Sequence, residues 1–292
     1  MLPDVQPWYR YWGKARPLSP DGDRYHLLVY HCLDVAACGQ ALVALPRFSL
    51  QPLSEALGWP REVVDRLFVY FLALHDVGKF APSFQNLARG LSSELVSPDL
   101  RKRRVPLRHD VLGWLLWCKG IARSEFSHAV PDRSNKFWQA WVRTAMGHHG
   151  VPPDGSGGHG VSTPLISDYF PPEDQGAALA FDQTTQSMFF SGTVPSPTKS
   201  QWAVVKGHSW MLAGLTVLAD WLGSAQRDFP YRSSVIPLDQ YWSEMALPAA
   251  EAAVARAGFV ETRARRFRQH NDFLAQLPLR REWRLPENNC GG

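Results

Sequence analysis

The sequence has few cysteines, and their spacing matches neither a zinc finger nor a redox motif. They are Cys32, Cys38, Cys118 and Cys290. The first two fall in an apolar segment, so we expect reduced core residues of a cytoplasmic protein. No apolar run is long enough to span a membrane, and no basic segment followed by an apolar run occurs at the N-terminus. We therefore expect neither export nor membrane insertion.

The sequence also lacks an ATPase phosphate loop. The pattern Gly-x-x-x-x-Gly-Lys-[Ser/Thr] occurs nowhere in the 292 residues, so ATP-driven unwinding cannot be assigned. Charge of one sign is scarcely in excess: the net charge is +4, and composition alone does not establish nucleic-acid binding. With 45% hydrophobic residues the chain can bury one large core, and we expect a single domain over residues 1–292.

The apolar periodicity is almost entirely helical, and no convincing strand pair stands out. The predicted helices cover residues 25–43, 62–75, 108–119, 136–146, 199–226, 237–257 and 261–277. Residues 150–176 form a Gly- and Pro-rich stretch without periodicity. We expect a long loop there, which either gates a nearby site or is a flexible surface insertion.

His75 and Asp76 follow an apolar helical stripe, and His75 comes four residues after Phe71 on the face that must be buried. A buried carboxylate without compensation normally takes up a proton, so this pair needs hydrogen-bonded partners or a metal ion. The dipeptide alone is common. The string that continues to Gly78 and Lys79 is far rarer, because it requires two more residue types at fixed positions. Gly78 would end the helix, and Lys79 would place a cation beside the carboxylate.

Two further segments carry candidate ligands. His148 and His149 follow a second apolar helical face, and flanking glycines bring both imidazoles to the helix end. Asp220 lies in a segment that is apolar on every face, which predicts a central, buried helix. Its carboxylate either serves a site or is satisfied by Thr216 or Ser224, one turn away on either side.

Basic residues form two clusters that could attract phosphates irrespective of sequence, or could simply be solvated helix surfaces. The first, a candidate DNA-binding cluster, leads into His109 and consists of Arg101, Lys102, Arg103, Arg104 and Arg108. The second includes Arg263, Arg265, Arg266, Arg268, Arg280, Arg281 and Arg284. Of the twelve tryptophans, we expect core positions for Trp114, Trp117, Trp138, Trp141 and Trp221.

In order along the chain, these motifs resemble the HD-type nuclease domain of the CRISPR-associated nuclease-helicase of type I systems, a member of the HD superfamily of metal-dependent phosphohydrolases. The resemblance runs from Trp12-Gly-Lys14 to Asp220-Trp-x-Gly-Ser224. It implies an all-α fold, an HD-domain helical bundle around a binuclear metal site. We expect its core at about 12–230 and a C-terminal helical extension at about 237–292. Family members usually continue into a helicase, which would here be a separate chain or a missing downstream domain.

The resemblance also implies a ligand set for two divalent metal ions. Asp76 would bridge the ions, with one set completed by His31, His75 and Asp220, and the other by His109, His148 and His149. Imidazole-rich sites favour Mn, Fe, Co or Ni over Mg. Asp76 would be catalytic through the ions it bridges. Lys79 is a candidate contact to phosphate, the alternative being a surface ion pair.

The function implied is a metal-dependent endo- or exodeoxyribonuclease that hydrolyses single-stranded DNA in CRISPR antiviral defence. An RNA-guided surveillance complex would recruit it. Two alternatives remain open. One is an HD phosphohydrolase of nucleotides or cyclic dinucleotides, against which the absence of a Gly-Tyr-Pro motif speaks. The other is a non-catalytic recruitment module, against which the intact ligand set speaks.

Overall fold

The prediction of an all-α fold is confirmed. A computed structural model describes residues 6–18, 20–97, 107–124, 129–153 and 165–259, all within one compact unit. Among these residues the only sheet is a two-stranded antiparallel pair of β1 (Trp12–Lys14) and β2 (His26–Leu27). The sequence pattern missed this pair because each strand is too short to show an alternation.

Eleven α-helices lie within the described ranges. They are α1 (Leu28–Val43), α2 (Gln51–Leu57), α3 (Arg61–Ala73), α4 (Pro82–Gln85), α5 (His109–Lys119), α6 (Lys136–Met146), α7 (Pro172–Phe189), α8 (Lys199–Gly207), α9 (Ser209–Gly223), α10 (Leu238–Tyr241) and α11 (Leu247–Arg256). Short 3-10 helices occur at Pro7–Arg10, Pro46–Phe48, Val77–Phe80, Ile121–Arg123 and Ile166–Asp168, and a π-helical turn spans Trp242–Ala246.

Helix α1 is the buried centre of the fold. All but two of its residues are buried, and it packs against α3, α9 and α11. A helix that is apolar on every side can be stable only where neighbours cover it completely. Because His31 lies in its first turn, the core holds this imidazole rigidly; Cys32 and Cys38 are buried thiols, as predicted.

Most of the predicted helices are present, but two are interrupted. The predicted helix at 199–226 is divided at His208 into α8 and α9. The one at 237–257 is divided into α10, the π turn and α11. The helix at 25–43 begins at Leu28, since the two preceding residues form β2. The helix predicted at 261–277 lies outside the described residues.

The expectation that α9 is a central, buried helix is wrong. One face packs on α1 and α6, but the opposite face carries Trp210 and Trp221, which are 86% and 71% exposed. Trp221 is therefore not a core residue, and Asp220 lies at the flank of the buried face with 17% of its side chain exposed. A helix that is apolar all round has no internal signal to show which side faces solvent.

The sequence prediction missed helix α7. The loop predicted at residues 150–176 therefore ends before Pro172, where α7 begins. Its buried face mixes apolar residues such as Phe181 with buried polar side chains, so it lacks a continuous apolar stripe. Asp182 accepts hydrogen bonds from Tyr70 Oη at 2.6 Å and from Arg133 Nη1 at 2.5 Å. Because hydrophobic periodicity cannot detect a helix that is buried through such pairs, the loop appeared longer than it is.

Among the described residues, no helix combines the length and apolar composition that crossing a membrane requires.

Asp174, at the start of α7, gives the fold a pH dependence. Burial raises the pKa of Asp174 to about 6, although a hydrogen bond from Tyr11 Oη, 2.5 Å from Oδ1, opposes the shift. Since the folded pKa lies above the unfolded value, the folded protein binds more protons between about pH 4 and 6, and the Asp174 contribution to stability falls as pH rises through that window.

We expect Asp174→Asn, which does not titrate but can still accept from Tyr11, to remove this loss. The free energy of unfolding of the variant relative to wild type should increase by on the order of 2 kcal/mol between about pH 4 and pH 7. Urea unfolding across this range measures it. A difference that stays constant with pH would contradict the assignment.

Candidate metal centre

The carboxylate of Asp76 lies at the centre of the cluster and is 1% exposed. Asp76 directly precedes the 3-10 helix Val77–Phe80 and follows the end of α3 by three residues. Four imidazoles surround it. One belongs to the preceding residue, His75, and the others come from α1, α5 and the turn after α6. The distances are 3.1 Å from His31 Nε2 and 3.3 Å from His75 Nε2 to Oδ2, and 3.3 Å from His109 Nε2 and 3.6 Å from His148 Nε2 to Oδ1.

All seven residues predicted as ligands converge here, in two groups. His31, His75 and Asp76 form a deep group, and His109, His148 and His149 form a rim group; within each, the donor atoms lie within 4.8 Å of one another. The deep group is buried, whereas His149 is exposed and His109 has 21% of its side chain exposed. Asp220 Oδ1 adjoins the deep group, 3.7 Å from His31 Nε2 and from His75 Nε2.

Hydrogen bonds fix which imidazole nitrogens face the carboxylate. His75 Nδ1 lies 2.7 Å from Leu72 O, and His148 Nδ1 lies 3.2 Å from Ala145 O. A carbonyl oxygen can only accept, so Nδ1 carries a proton in both rings, and in the neutral tautomer the Nε2 lone pair points at Asp76. Among the described residues, His75 Nε2 and Asp76 Oδ1 are buried without a hydrogen-bond partner.

Lone pairs that face an anion inside a buried cluster repel the anion unless a cation lies between them. The observed spacing suits such a cation. Two ligand atoms that are each about 2.1 Å from one ion, at angles of 90–109°, are about 3.0–3.4 Å apart. The four distances to Asp76, between 3.1 and 3.6 Å, are close to this range. The donor set therefore fits divalent metal ions.

The charge states are those that metal binding needs. Burial alone would raise the pKa of Asp76, but the neighbouring groups, the Lys79 ammonium foremost, outweigh it and hold the pKa well below its usual range. Burial lowers the pKa of His109 and of His148 to about 4, and it lowers that of His31 well below its ordinary value. Near neutral pH the carboxylate is thus ionised and these three imidazoles are neutral.

Lys79 is 5% exposed, and its Nζ lies 2.5 Å from Asp76 Oδ2. The alternative of a surface ion pair therefore does not describe it. Its backbone is held by Gln85, whose Nε2 donates to Lys79 O at 2.7 Å and to Trp12 O at 3.0 Å. We call Trp12, Lys79 and Gln85 the Gln85 clamp; it ties β1 to the turn that carries Lys79.

Gly78 allows the rim group to reach Asp76. A Cβ atom at this position would lie 1.8 Å from His109 O and 2.5 Å from Gly113 N, a separation that no side chain permits. The 3-10 helix Val77–Phe80 therefore packs directly on the backbone of α5, with His109 as the first residue of that helix. Gly78, expected to end the preceding helix, matters for this close approach.

Asp220 has a hydrogen-bonded support, in part the alternative expected from the sequence. Ser224 Oγ donates to Asp220 Oδ1 at 3.1 Å, while Thr216 Oγ1 donates to its own helix at Leu212 O. Lys14 Nζ in turn donates to Ser224 Oγ at 3.0 Å. Sequence reasoning assigned no role to Lys14 or Gln85; the only signal for Lys14 was its place in Trp12-Gly-Lys14.

Of the candidate DNA-binding cluster, only Arg108 lies within the described residues. It precedes α5, and its guanidinium makes two hydrogen bonds to Asp110, at 3.2 Å and 2.9 Å. Arg101, Lys102, Arg103 and Arg104 lie outside the described residues, as does the second basic cluster.

Comparison with known proteins gives one family and several similar folds. The family described as "Cas3, HD domain" matches residues 12–229. A CRISPR-associated endonuclease/helicase Cas3 of Escherichia coli (strain K12) is 28% identical over 235 residues, which cover 73% of this chain and 25% of the relative.

Two crystal structures show the same fold. One, of a CRISPR-associated protein, is 23% identical with a TM-score of 0.72, over 94% of this chain and 29% of the other. The other, the Thermus thermophilus Cas3 HD domain in the presence of Ni2+, is 22% identical with a TM-score of 0.53, over 86% and 93% of the two chains. The chain thus spans about a quarter of the length of the E. coli relative.

We expect Gly78→Ala to separate the rim group from Asp76, because the added methyl group has no space against the α5 backbone. The variant should retain binding at the deep group and weaken binding at the rim group, so that titration with Mn2+ gives fewer tight sites than wild type. Gly176→Ala, where a Cβ meets nothing within 4 Å, is the matched control. Unchanged Mn2+ binding by Gly78→Ala would show that the close approach does not matter.

Proposed function

Because the chain belongs to the Cas3 HD domain family, we propose that it is a metal-dependent deoxyribonuclease that cleaves single-stranded DNA in CRISPR type I interference. The observation that carries the proposal is the arrangement of lone pairs around Asp76, which only cations can reconcile with burial. The endonuclease activity named for the E. coli relative supports the same reaction class.

We assign two divalent ions to the two groups of donors. His31, His75 and Asp220 would hold one ion, His109, His148 and His149 the other, and the two oxygens of Asp76 would reach both. The split of contacts supports this assignment, since His31 and His75 approach Oδ2 while His109 and His148 approach Oδ1. Imidazole-rich donors favour Mn, Fe, Co or Ni over Mg.

A pair of such ions lowers the pKa of bound water and neutralises charge that develops on the scissile phosphate. The residues of the chain provide the rest. Asp76 and Asp220 are the two carboxylates of the predicted ligand set, so two divalent ions bound there would leave the site with a net positive charge that attracts a phosphodiester. Lys79 adds a cation beside Asp76 that can contact a phosphate oxygen.

We further propose the partners. An RNA-guided surveillance complex would expose single-stranded DNA, and a helicase, on a separate chain or a downstream domain, would supply more of it. The chain matches a quarter of the length of an endonuclease/helicase, and this partial match supports the proposal that a helicase takes part. The cluster lies among α1, α3, α5, α6 and α9. A flexible single strand can reach residues set among helices more readily than a stiff duplex can.

Asp76→Ala should abolish cleavage of single-stranded DNA, because it removes the carboxylate that both groups share. Lys79→Ala should be milder, with a loss on the order of tenfold to a thousandfold, as one charge-stabilising contact to phosphate can supply. Cleavage of a labelled oligonucleotide with excess Mn2+ or Ni2+ measures both. Lys119→Gln, an exposed lysine at the far end of α5, is the control. Near-wild-type cleavage by Asp76→Ala would refute the proposal.

Without a helicase or ATP, the protein should degrade a single strand in preference to a blunt duplex of the same sequence, because the duplex must first be opened. The measurement is a pair of time courses under one metal and one salt concentration. Charge reversal at two residues of the Arg101–Arg108 cluster should weaken DNA binding and flatten its salt dependence. Equal rates on both substrates would show that access does not select the strand.

A further inference from the structure

Lys14 is a cation at the metal centre to which the proposed mechanism gives no task. It lies at the end of β1, and its position depends on Gly13. A Cβ atom at Gly13 would lie 2.9 Å from Leu28 Cα and 3.3 Å from His31 Cβ, so glycine lets β1 lie directly against the first turn of α1. The next side chain then reaches the deep group.

The Gln85 clamp holds Lys14 and Lys79 in one unit. Besides its bonds to Trp12 O and Lys79 O, Gln85 accepts from Trp12 N at 3.2 Å through Oε1, and its own carbonyl accepts from Trp12 Nε1 at 3.2 Å. Gln85 is 2% exposed, and every polar atom of its side chain is used. Lys79 Nζ also lies 3.4 Å from Gly13 O. The fold thus brings two lysines together, although their charges repel each other.

Within the part of the chain that the structure describes, Lys14 forms no ion pair with a carboxylate. Among the described residues, no Asp or Glu oxygen lies within 4.0 Å of its Nζ, and its hydrogen-bond partner is the neutral hydroxyl of Ser224. The ammonium is only partly exposed, and the charges of Lys79, Asp76 and Asp220 all act on it. An unpaired, partly buried ammonium reduces stability, so its retention beside the metal centre points to an anion that binds there.

We propose that Lys14 binds a phosphate group of the DNA strand on the Asp220 side of the metal centre, so that Lys14 and Lys79 form a two-lysine phosphate subsite. The inference rests on the proposed nuclease function and adds a residue that contacts the substrate. A phosphate of the substrate accounts for the unpaired ammonium better than a carboxylate of the chain would, because the phosphate brings its negative charge only when substrate is bound. Metal ions at Asp76 and Asp220 leave both ammonium groups free to meet it.

The same contacts also allow a second role for Lys14, which predicts a different effect of its removal on metal binding. Through Ser224, Lys14 could merely orient the Asp220 carboxylate as a metal ligand. Removal of Lys14 would then weaken metal binding. Under the phosphate assignment, removal of a cation near the ions reduces repulsion, so metal binding stays the same or becomes tighter.

The test compares Lys14→Gln, Lys14→Arg and Ser224→Ala with wild type, and Lys119→Gln serves as the control. Calorimetric titration with Mn2+ gives the metal affinity, and titration of the Mn2+-loaded protein with inorganic phosphate gives the phosphate affinity. Steady-state cleavage of a single-stranded oligonucleotide separates KM from kcat. Circular dichroism checks the fold, and Lys14→Arg keeps the test valid if Lys14→Gln does not fold.

We expect Lys14→Gln to weaken phosphate binding about tenfold to a hundredfold, as loss of one charged hydrogen bond can, without weakening Mn2+ binding. Lys14→Arg should restore most of the phosphate affinity, and Ser224→Ala should retain it. Weaker Mn2+ binding by both Lys14→Gln and Ser224→Ala, with the phosphate affinity of the loaded site unchanged, would overturn the inference. So would a wild-type protein that binds no phosphate.

The outcomes also separate this inference from the proposed function. If the wild type binds phosphate through Lys14 but cuts no DNA, the phosphate subsite stands and the nuclease proposal fails. If the wild type cuts DNA and Lys14→Gln does so with unchanged KM, kcat and phosphate affinity, the nuclease proposal stands and the subsite fails.

Discussion

The structure depends on the burial of one carboxylate, that of Asp76, in a cluster whose other members mostly present lone pairs to it. Such an arrangement is unfavourable by itself, because buried lone pairs that face an anion repel it. Lys79 compensates one side, and the remaining sides are suited to metal ions. Much of the architecture serves this cluster: α1 supplies one ligand from the core, Gly78 lets α5 approach, and hydrogen bonds to Leu72 and Ala145 orient two rings.

How far the sequence predicts this arrangement differs between the ligands and their supports. Five of the seven predicted ligands stood out from their own segments, since a buried His or Asp beside an apolar stripe is itself unusual, whereas His31 and His109 were implied by the family resemblance. The supports were not predictable, because Gln85 and Lys14 act through contacts between residues distant in sequence. Hydrogen bonds of that kind leave no periodic trace, and a single Gly-Lys pair near the start of the chain is a weak signal.

The fold shows the same division. Helices with an apolar stripe, such as α3 and α6, were predicted to within a residue or two, whereas α7 was missed because Asp182 and other polar residues interrupt the apolar part of its buried face. The burial of α9 was overestimated for the opposite reason. Its composition is apolar throughout, yet Trp210 and Trp221 face solvent. Since the two residues are eleven positions apart, they lie on one side of the helix, about 16 Å from each other.

The unequal depth of the two donor groups has a kinetic meaning. The deep group includes His31 on α1, whose backbone can open only when the centre of the fold does, whereas the rim group ends in the exposed His149. Local opening of a protein proceeds most readily where little apolar surface has to be uncovered. Exchange with solvent would therefore be easier for an ion held by the rim group than for one held by the deep group.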